Sequence, residues 1–452
     1  MNDSHLTSVL LRNARIVLPE RTVESAGILI NEGRIAQITS GPNDLRAADS
    51  VIDLTGLTLF PGFIDVHIHG AVGVDTMAAS GDDLARVSTF LASQGVTGWL
   101  PTLVPASDYQ YESAVTAIDT TIQDQVNQAR GCWDRGRPAR LTPAEDSLTD
   151  QVQVSATERA GRPRSHSRSQ SRSQCSGARV LGVHYEGPFV NEAQCGALHR
   201  EHFRTYTEAK DLDKLPLPMG DKAVRMITVA PEIEGGVELV RELKRRGWIV
   251  SIGHTRATPE VLDSAHDAGA RHITHFMNAM APLHHRAPGP IAWGLAHDDV
   301  TCDVIADGIH LDTFMLRLLL KLKTPEGISL ISDAIAAAGM GNGDYEIWGE
   351  TISVKNGRTQ NAHGSIAGSV ITMLDAIRMM LSLGASESDV ERMASTNPAR
   401  LLGIEADCGS IEEGKRADLV ALDSDGNVQL TLVGGVVAHT APKSEPPAVA
   451  GG

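Results

Sequence analysis

The sequence predicts an α/β fold: a (β/α)8 barrel of the TIM type, carrying a small β-sandwich domain built from both chain termini. Three observations lead there. Eight short apolar runs recur between residues 63 and 332, and amphipathic helical stretches separate most of them. Both ends of the chain instead alternate strand-like runs with turns. Histidine or an acidic residue falls at the end of most of the eight runs, where a barrel gathers side chains at one mouth. An open doubly wound sheet is the architectural alternative.

Residues 1–60 supply the first part of the sandwich, with strands at 9–11, 15–18, 27–30, 34–38 and 51–54 and a hairpin turn at Asn31-Glu32-Gly33. The barrel is expected over 61–404, its strands at 63–68, 96–103, 180–185, 224–230, 248–252, 272–276, 301–306 and 328–332. Among the intervening stretches, 82–94 puts Leu84, Val87, Phe90 and Leu91 on one stripe, and 259–268 and 312–323 behave alike. From about 127 to 176 the pattern lapses, ending in an Arg/Ser tract over 161–174. Such a segment cannot bury enough apolar surface to offset its ordering entropy, so a solvated, disordered insertion is expected; an anion-binding segment is the less favoured reading. Residues 405–440 return to strands at 418–422 and 428–433, with turns at Asp425-Gly426-Asn427 and Gly434-Gly435, and complete the sandwich; 441–452 read as a flexible tail.

Composition excludes several classes. The chain has 452 residues, of which 42% are hydrophobic, enough for a sizeable core. Its 40 basic against 56 acidic residues leave a net charge of −16, which argues against a nucleic-acid partner. No apolar run approaches the ~18 residues that span a bilayer. Met1-Asn2-Asp3-Ser4-His5 lacks the plan of a secretory signal. The five cysteines (132, 175, 195, 302 and 408) form no CxxC pair, so a reduced cytoplasmic chain is expected. Cys195 reads as a small loop residue rather than a functional thiol.

The chemistry lies at the run ends. His67 and His69, two apart on a strand, project to one side. His184 and Glu186 end the third run, His254 follows the fifth, and His275 ends the sixth with Asn278 close behind. Asp307 and His310 follow the seventh, and Asp333 the eighth. Each alone has an ordinary explanation: an HxH pair occurs by chance, Glu186 suits a helix N-terminus, and Asp333 suits a cap. Together, at one relative position after different runs, they read as a metal centre. Imidazole and carboxylate are the ligand set of Zn2+ or Fe2+, and such an ion generates hydroxide near neutral pH.

Eight ordered motifs carry a more specific reading: Pro61-Gly62-Phe63-Ile64-Asp65-Val66-His67-Ile68-His69-Gly70, Gly182-Val183-His184-Tyr185-Glu186-Gly187-Pro188-Phe189, Gly196-Ala197-Leu198-His199, Ser251-Ile252-Gly253-His254-Thr255, Thr274-His275-Phe276-Met277-Asn278-Ala279-Met280, Ala306-Asp307-Gly308-Ile309-His310, Ser332-Asp333-Ala334 and Gly364-Ser365-Ile366-Ala367-Gly368-Ser369. With these the chain resembles the amidohydrolase superfamily, and within it the N-acetylglucosamine-6-phosphate deacetylase family, over nearly its whole length outside the Arg/Ser insertion. The resemblance implies hydrolysis of the acetamide of N-acetyl-D-glucosamine 6-phosphate to D-glucosamine 6-phosphate and acetate. It also implies one or two divalent ions, Zn2+ or Fe2+, in each subunit of a homodimer, with a small-molecule sugar phosphate as partner and neither nucleic acid nor membrane.

By position, the resemblance implies Glu186, His254 and His275 as ligands of the main ion. His67 and His69 are implied for a second ion, with Glu186 as a bridge. Asp333 is implied as the base that takes a proton from water and delivers it to the leaving amine, and His199 as a residue that polarises the carbonyl or binds a hydroxyl. Leu198, Asn278, Ala279, Arg286, Asp307, Gly308, Ile309, His310, Ile366, Ala367 and Gly368 are implied against the substrate. Arg286 and His310 would serve its phosphate, since a guanidinium fork suits that group. The rival readings are another amidohydrolase without phosphate selectivity, and a catalytically dead barrel that senses sugar phosphates.

Overall fold

The computed structural model describes residues 8–39, 48–134, 177–220 and 222–442. Eight strands form the barrel wall: Phe63–Ile68, Val96–Leu103, Gly182–Glu186, Val224–Val229, Ile249–Ile252, His272–Ile273, Thr301–Ile305 and Ile328–Ile331. Successive neighbours pair in parallel from the first to the eighth. Their residues are buried almost throughout, as expected of strands covered on both faces. Helices Gly81–Ser93, Pro259–Asp267 and Thr313–Leu322 fall where the apolar stripes place them. Ser80 forms a capping box with Asp83 at the start of the first, and Asp312 caps the third.

The eighth strand closes onto the first through a buried carboxylate. Asp65, with no exposed surface, accepts the Ser332 hydroxyl at 2.6 Å and the main-chain N–H groups of Ser332 and His67 at 3.3 Å. Burial pushes this carboxyl up to about 7, against the pull of its Ser332 hydrogen bonds. Beyond it, Asp333 N–H donates to His67 O at 2.9 Å and His69 N–H to Ala334 O at 2.8 Å. The closure therefore sits directly under the first and eighth strand ends.

The terminal strands make one eight-stranded sheet. Strand Thr58–Pro61 joins its halves, parallel to Ser8–Val17 on one side and antiparallel to Leu419–Leu422 on the other. Leu11, Ile16, Ile28, Leu59, Leu419 and Leu432 share one core to which, among the described residues, no helix contributes. A sheet that buries its own face in this way folds over on itself, so the expected sandwich is made by a single continuous sheet. The hairpin turn at Glu32-Gly33 has both residues at positive φ (48° and 76°), as does Gly434-Gly435 (56° and 74°), the geometry that a tight two-residue hairpin needs.

Several features depart from the expected elements. The strands expected at 9–11 and 15–18 are one strand, Ser8–Val17, and strands Thr58–Pro61 and Val436–Thr440 had no expected counterpart. Helix Asp108–Asp134 continues through the expected start of the irregular segment near 127; its 27 residues extend the preceding helical pattern. The rest of that segment, with the Arg/Ser tract, and the expected tail beyond 442 lie outside the described residues. The sixth strand stops at Ile273 rather than 276, because the backbone turns left-handed at His275 (φ 27°) and Met277 (φ 75°). A three-stranded sheet, Gly343–Ile347, Glu350–Lys355 and Arg358–Gln360, follows the eighth strand and was not anticipated.

Asp65→Ala leaves the Ser332 hydroxyl and two amides without an acceptor in a dry core. At about 1–3 kcal/mol for each of the three unsatisfied groups, the expected loss is at least about 3 kcal/mol, measured by urea unfolding; a variant as stable as the parent would show that other contacts close the barrel.

Candidate metal centre

Five barrel strands deliver the cluster. His67 and His69 come from the first, Glu186 ends the third, and His254, His275 and Asp333 each lie two residues beyond the fifth, sixth and eighth strands. The last three adopt left-handed backbone, with φ of 48°, 27° and 50°. Non-glycine residues held there cost about 1–3 kcal/mol each and persist only where the surroundings impose them. Here the turn redirects each side chain from the wall into the mouth. Gly253 permits the first of these turns, because a Cβ on it would fall 2.3 Å from Thr274 Cγ2.

Glu186 is the centre of the arrangement. Its Oε1 lies 2.9 Å from His254 Nε2 and 3.0 Å from His275 Nε2, and its Oε2 lies 3.3 Å from His69 Nε2. His67 Nε2 is 3.6 Å from Oε1. His254 and His275 face each other through Nε2 atoms 3.1 Å apart, and His67 and His69 through Nε2 atoms 3.2 Å apart. All five residues are buried. They form two overlapping three-residue groups, His67/His69/Glu186 and Glu186/His254/His275, each compact enough to hold an ion. Nitrogens about 2.0–2.1 Å from a tetrahedral ion stand about 3.3 Å apart, close to both observed separations. Asp333 Oδ1 reaches this cluster from one side, 3.3 Å from His69 Nε2 and 3.5 Å from His67 Nε2.

The residues around the cluster fix which nitrogen is free. His254 Nδ1 lies 2.8 Å from Gln194 O, and a carbonyl oxygen only accepts, so Nδ1 carries the proton and the Nε2 lone pair points inward. His67 Nδ1 lies 3.1 Å from Thr274 Oγ1, whose hydroxyl donates to Asp303 Oδ2 at 3.4 Å, with the same result. Asp303 also accepts from His275 N–H and lies 3.1 Å from His272 Nε2. His69 is held instead by the Trp348 ring, edge-on at 5.3 Å. Sequence reasoning missed all of these. Asp303 left a signal, a lone charge inside an apolar run, and Trp348-Gly349 left a weaker one between alternating runs. Gln194 left none, since it acts through its backbone carbonyl.

The other expected residues divide. Asp333 is pinned by the segment after it: Ser369 N–H donates to Asp333 O at 2.7 Å, and a Cβ on Gly368 (φ 57°) would press on that oxygen at 3.0 Å. Ile366 and Ala367 lead into this contact, with Ala367 fully buried. Asp307 accepts the N–H groups of Ile309 and His310 and the His310 Nδ1–H, all at 2.7 Å, forming a closed turn with Gly308 (φ 73°) at its bend. Burial works against the Asp307 charge, but the His310 bond holds its carboxyl below the usual range. Asn278 donates to Phe276 O at 3.3 Å, while Ala279 O accepts from Thr255 N–H at 3.3 Å. Leu198 is buried.

Two residues depart from their expected places at the mouth. His184 lies deeper in the wall, where Nδ1 meets Val66 O at 3.1 Å and Nε2 meets Thr228 Oγ1 at 2.9 Å, so neither nitrogen is free for an ion. His199 is not joined to the cluster: its side chain is 26% exposed and its Nδ1 lies 3.2 Å from Glu201. Arg286 is exposed beside His285, 2.9 Å from its Nε2. Cys195 sits in the loop that holds His254, with Arg200 Nε 3.2 Å from its sulfur.

The amidohydrolase family pattern matches residues 58–438. The chain belongs to the amidohydrolase family. N-acetylglucosamine-6-phosphate deacetylase of Bacillus subtilis (strain 168) is 32% identical over 439 residues, covering 97% of this amidohydrolase and 99% of the relative. N-acetylgalactosamine-6-phosphate deacetylase of Escherichia coli O157:H7 is 33% identical over 430 residues, covering 95% and 99%. Among solved structures, N-acetylglucosamine-6-phosphate deacetylase of Thermotoga maritima aligns with a TM-score of 0.75 at 30% identity, over 96% of this chain and all of that one. A mutant of the Mycobacterium smegmatis N-acetyl-D-glucosamine-6-phosphate deacetylase, in complex with N-acetyl-D-glucosamine 6-phosphate, aligns with a TM-score of 0.76 at 28% identity, over 96% and 100%.

The rings of this amidohydrolase compete for protons through the carboxylates they share. Burial opposes charge on His69, yet its bonds to Asp333 and Glu186 outweigh that and hold it up at about 10. His275 behaves alike through Glu186, at about 9, whereas burial pushes His67 well below its usual range. A nitrogen must lose its proton to ligate. Metal loading near pH 7.5 is therefore expected to release protons, and apparent affinity to weaken as pH falls from about 9. Calorimetric titration of metal-free protein in buffers of different ionisation heat measures this, and buffer-independent heats would contradict it.

Proposed function

We propose that this amidohydrolase removes the acetyl group of N-acetyl-D-glucosamine 6-phosphate, giving D-glucosamine 6-phosphate and acetate. The observation that carries the reading is a single buried carboxylate, Glu186, shared by two histidine pairs, with a second carboxylate, Asp333, facing the same point. The near full-length relatives supply the substrate class.

Glu186, His254 and His275 would hold the main divalent ion, Zn2+ or Fe2+, and His67 and His69 share Glu186 around a second place. When bound, such an ion supplies a Lewis acid toward the carbonyl and makes water acidic enough to yield a proton near neutrality. Asp333 takes that proton at a carboxylate oxygen, from the side of the cluster where its Oδ1 already stands. It returns the proton to the departing nitrogen, since an amide anion is too basic to leave. His199 approaches the carbonyl or a sugar hydroxyl once its loop turns inward from Glu201. Arg286 and His310 serve the phosphate. Leu198, Asn278, Ala279, the 307–309 turn and the 366–368 segment line the sugar. A homodimer fits the exposed Arg286 loop, which a second copy would cover, and the buried free thiols of Cys302 and Cys408 fit the reducing cytoplasm. A galactosamine epimer is the second substrate to test, because one relative is named for it.

Zinc-loaded protein is expected to release acetate from N-acetylglucosamine 6-phosphate with higher kcat/KM than from the galactosamine epimer. Asp333→Asn should lower kcat by about 10²–10⁴ while metal content stays unchanged; near-normal turnover would remove Asp333 from the reaction. Arg286→Ala should raise KM for the 6-phosphate far more than for N-acetylglucosamine itself, measured by acetate release, and equal effects would place the phosphate elsewhere.

A further inference from the structure

The fourth barrel strand, Val224–Val229, lies between the third and the fifth and delivers no member of the histidine cluster. Three residues beyond its end stands Glu232, half-buried between the loops of its two neighbours. Its Oε1 accepts Asn191 Nδ2–H at 2.8 Å and the Arg256 main-chain N–H at 2.6 Å, and its Oε2 accepts the Thr255 hydroxyl at 2.6 Å. One carboxylate therefore grips the loop after the third strand once and the turn after the fifth strand twice. Hydrogen bonds to an ionised acceptor are roughly twice as strong as neutral ones, so this grip is firm.

Both gripped segments converge on His254. Asn191 N–H donates to His254 O at 3.1 Å. Asn191 Oδ1 accepts from Ala193 N–H and Asn191 O from Gln194 N–H, both at 2.9 Å, and the turn so formed brings Gln194 O to 2.8 Å from His254 Nδ1. On the other flank, Thr255 is fully buried and follows His254 directly. Its hydroxyl accepts Ala257 N–H at 3.0 Å, and its main chain is bonded to Ala279 and Ala281. His254 itself holds left-handed backbone (φ 48°), which a non-glycine residue keeps only where its surroundings impose it. The bonds that impose it on either flank run to the same carboxylate. We propose that Glu232 is a positioning residue for the metal centre: it holds the His254 turn and the Gln194 carbonyl in one frame, and so keeps the His254 Nε2 lone pair aimed at Glu186. It acts through Asn191 and Thr255 rather than by contact with the cluster. The consequence for metal rests on the metal reading above, whereas the hold on the ring does not.

The direct test uses full-length, metal-free protein with nitrogen-15-labelled histidine. In the parent, the His254 ring, assigned by its loss in His254→Asn, should show the Nδ1–H tautomer in its nitrogen shifts. In Glu232→Ala that signal should move toward a mixture of tautomers, while the signal of His184, held by Val66 and Thr228, stays in place. An unmoved His254 signal would overturn the proposal. Glu232→Gln keeps an acceptor for Asn191 and Arg256 and should restore the parent signal; a Gln variant as disturbed as the Ala variant would overturn positioning by hydrogen bonds. Should Glu232→Ala fail to fold, Asn191→Ala removes one arm only and should move the His254 signal in the same direction. Zinc affinity, measured by calorimetry, should be about tenfold weaker in Glu232→Ala, the lower end of the loss when a group behind a metal ligand is removed, and within about threefold of the parent in Glu232→Gln. Equal affinity in all three proteins would overturn the link to the metal. A parent that binds no zinc would overturn the metal reading, and the ring signal would still decide the role of Glu232. Neither readout is acetate release, so failure here is distinguishable from failure of the deacetylase reading.

Discussion

Four imidazoles and one carboxylate are packed together out of reach of solvent, and this crowding is the constraint around which the rest of the protein is organised. Glu186 cannot satisfy four rings as a hydrogen-bond acceptor alone, and rings meeting nitrogen to nitrogen repel whenever both are charged. The cluster tolerates this because each group is held from behind. Gln194 and Thr274 fix two rings by their Nδ1 atoms, Trp348 packs against a third, and Asp303 anchors the backbone of the fourth. Left-handed backbone at His254, His275 and Asp333 belongs to the same design, in which rigidity is spent on direction.

The barrel supplies that rigidity through its seam. Asp65 and Ser332 join the first and eighth strands, two residues below His67 and one below Asp333, and the next main-chain bonds tie His67 and Asp333 to each other. A group that closes the wall is thereby also a group that sets the distance between a ligand pair and the acid–base carboxylate. Stability and chemistry are coupled here by adjacency in the chain, so few substitutions around the seam would affect one without the other.

Much of this was legible in the sequence. Short apolar runs, helical stripes and turn residues are local, and local signals placed all eight barrel strands and both ends of the terminal sheet. Ligand types at strand ends were legible because a barrel converts a repeated sequence position into a shared place. What escaped depends on other information. His184 has a ligand's residue type near a strand end, but it lies two residues before Glu186 on the same strand, so its ring sits deeper, where Val66 and Thr228 occupy both nitrogens. The Gln194 carbonyl belongs to every residue type alike. The short sixth strand reflects a tertiary override, in which the Asp303 carboxylate takes the N–H of His275. His199 pairs with its neighbour Glu201 rather than with the cluster, a local contact that its position in the motif does not reveal.

The terminal sheet has a consequence in time. Strand Thr58–Pro61 has Ser8–Val17 as a neighbour almost at once, but its other neighbour, Leu419–Leu422, lies about 350 residues further along the chain. At about 5–20 residues per second on the ribosome, that edge waits roughly 20–70 s for its partner. Throughout, it presents unpaired main-chain groups and the apolar side chains of Leu59 and Phe60 to any other strand nearby. The barrel strands between them pair only with their own neighbours, so they can assemble while the edge is open. The small sheet is thus the last part of the protein to be completed and, until then, its most adhesive surface.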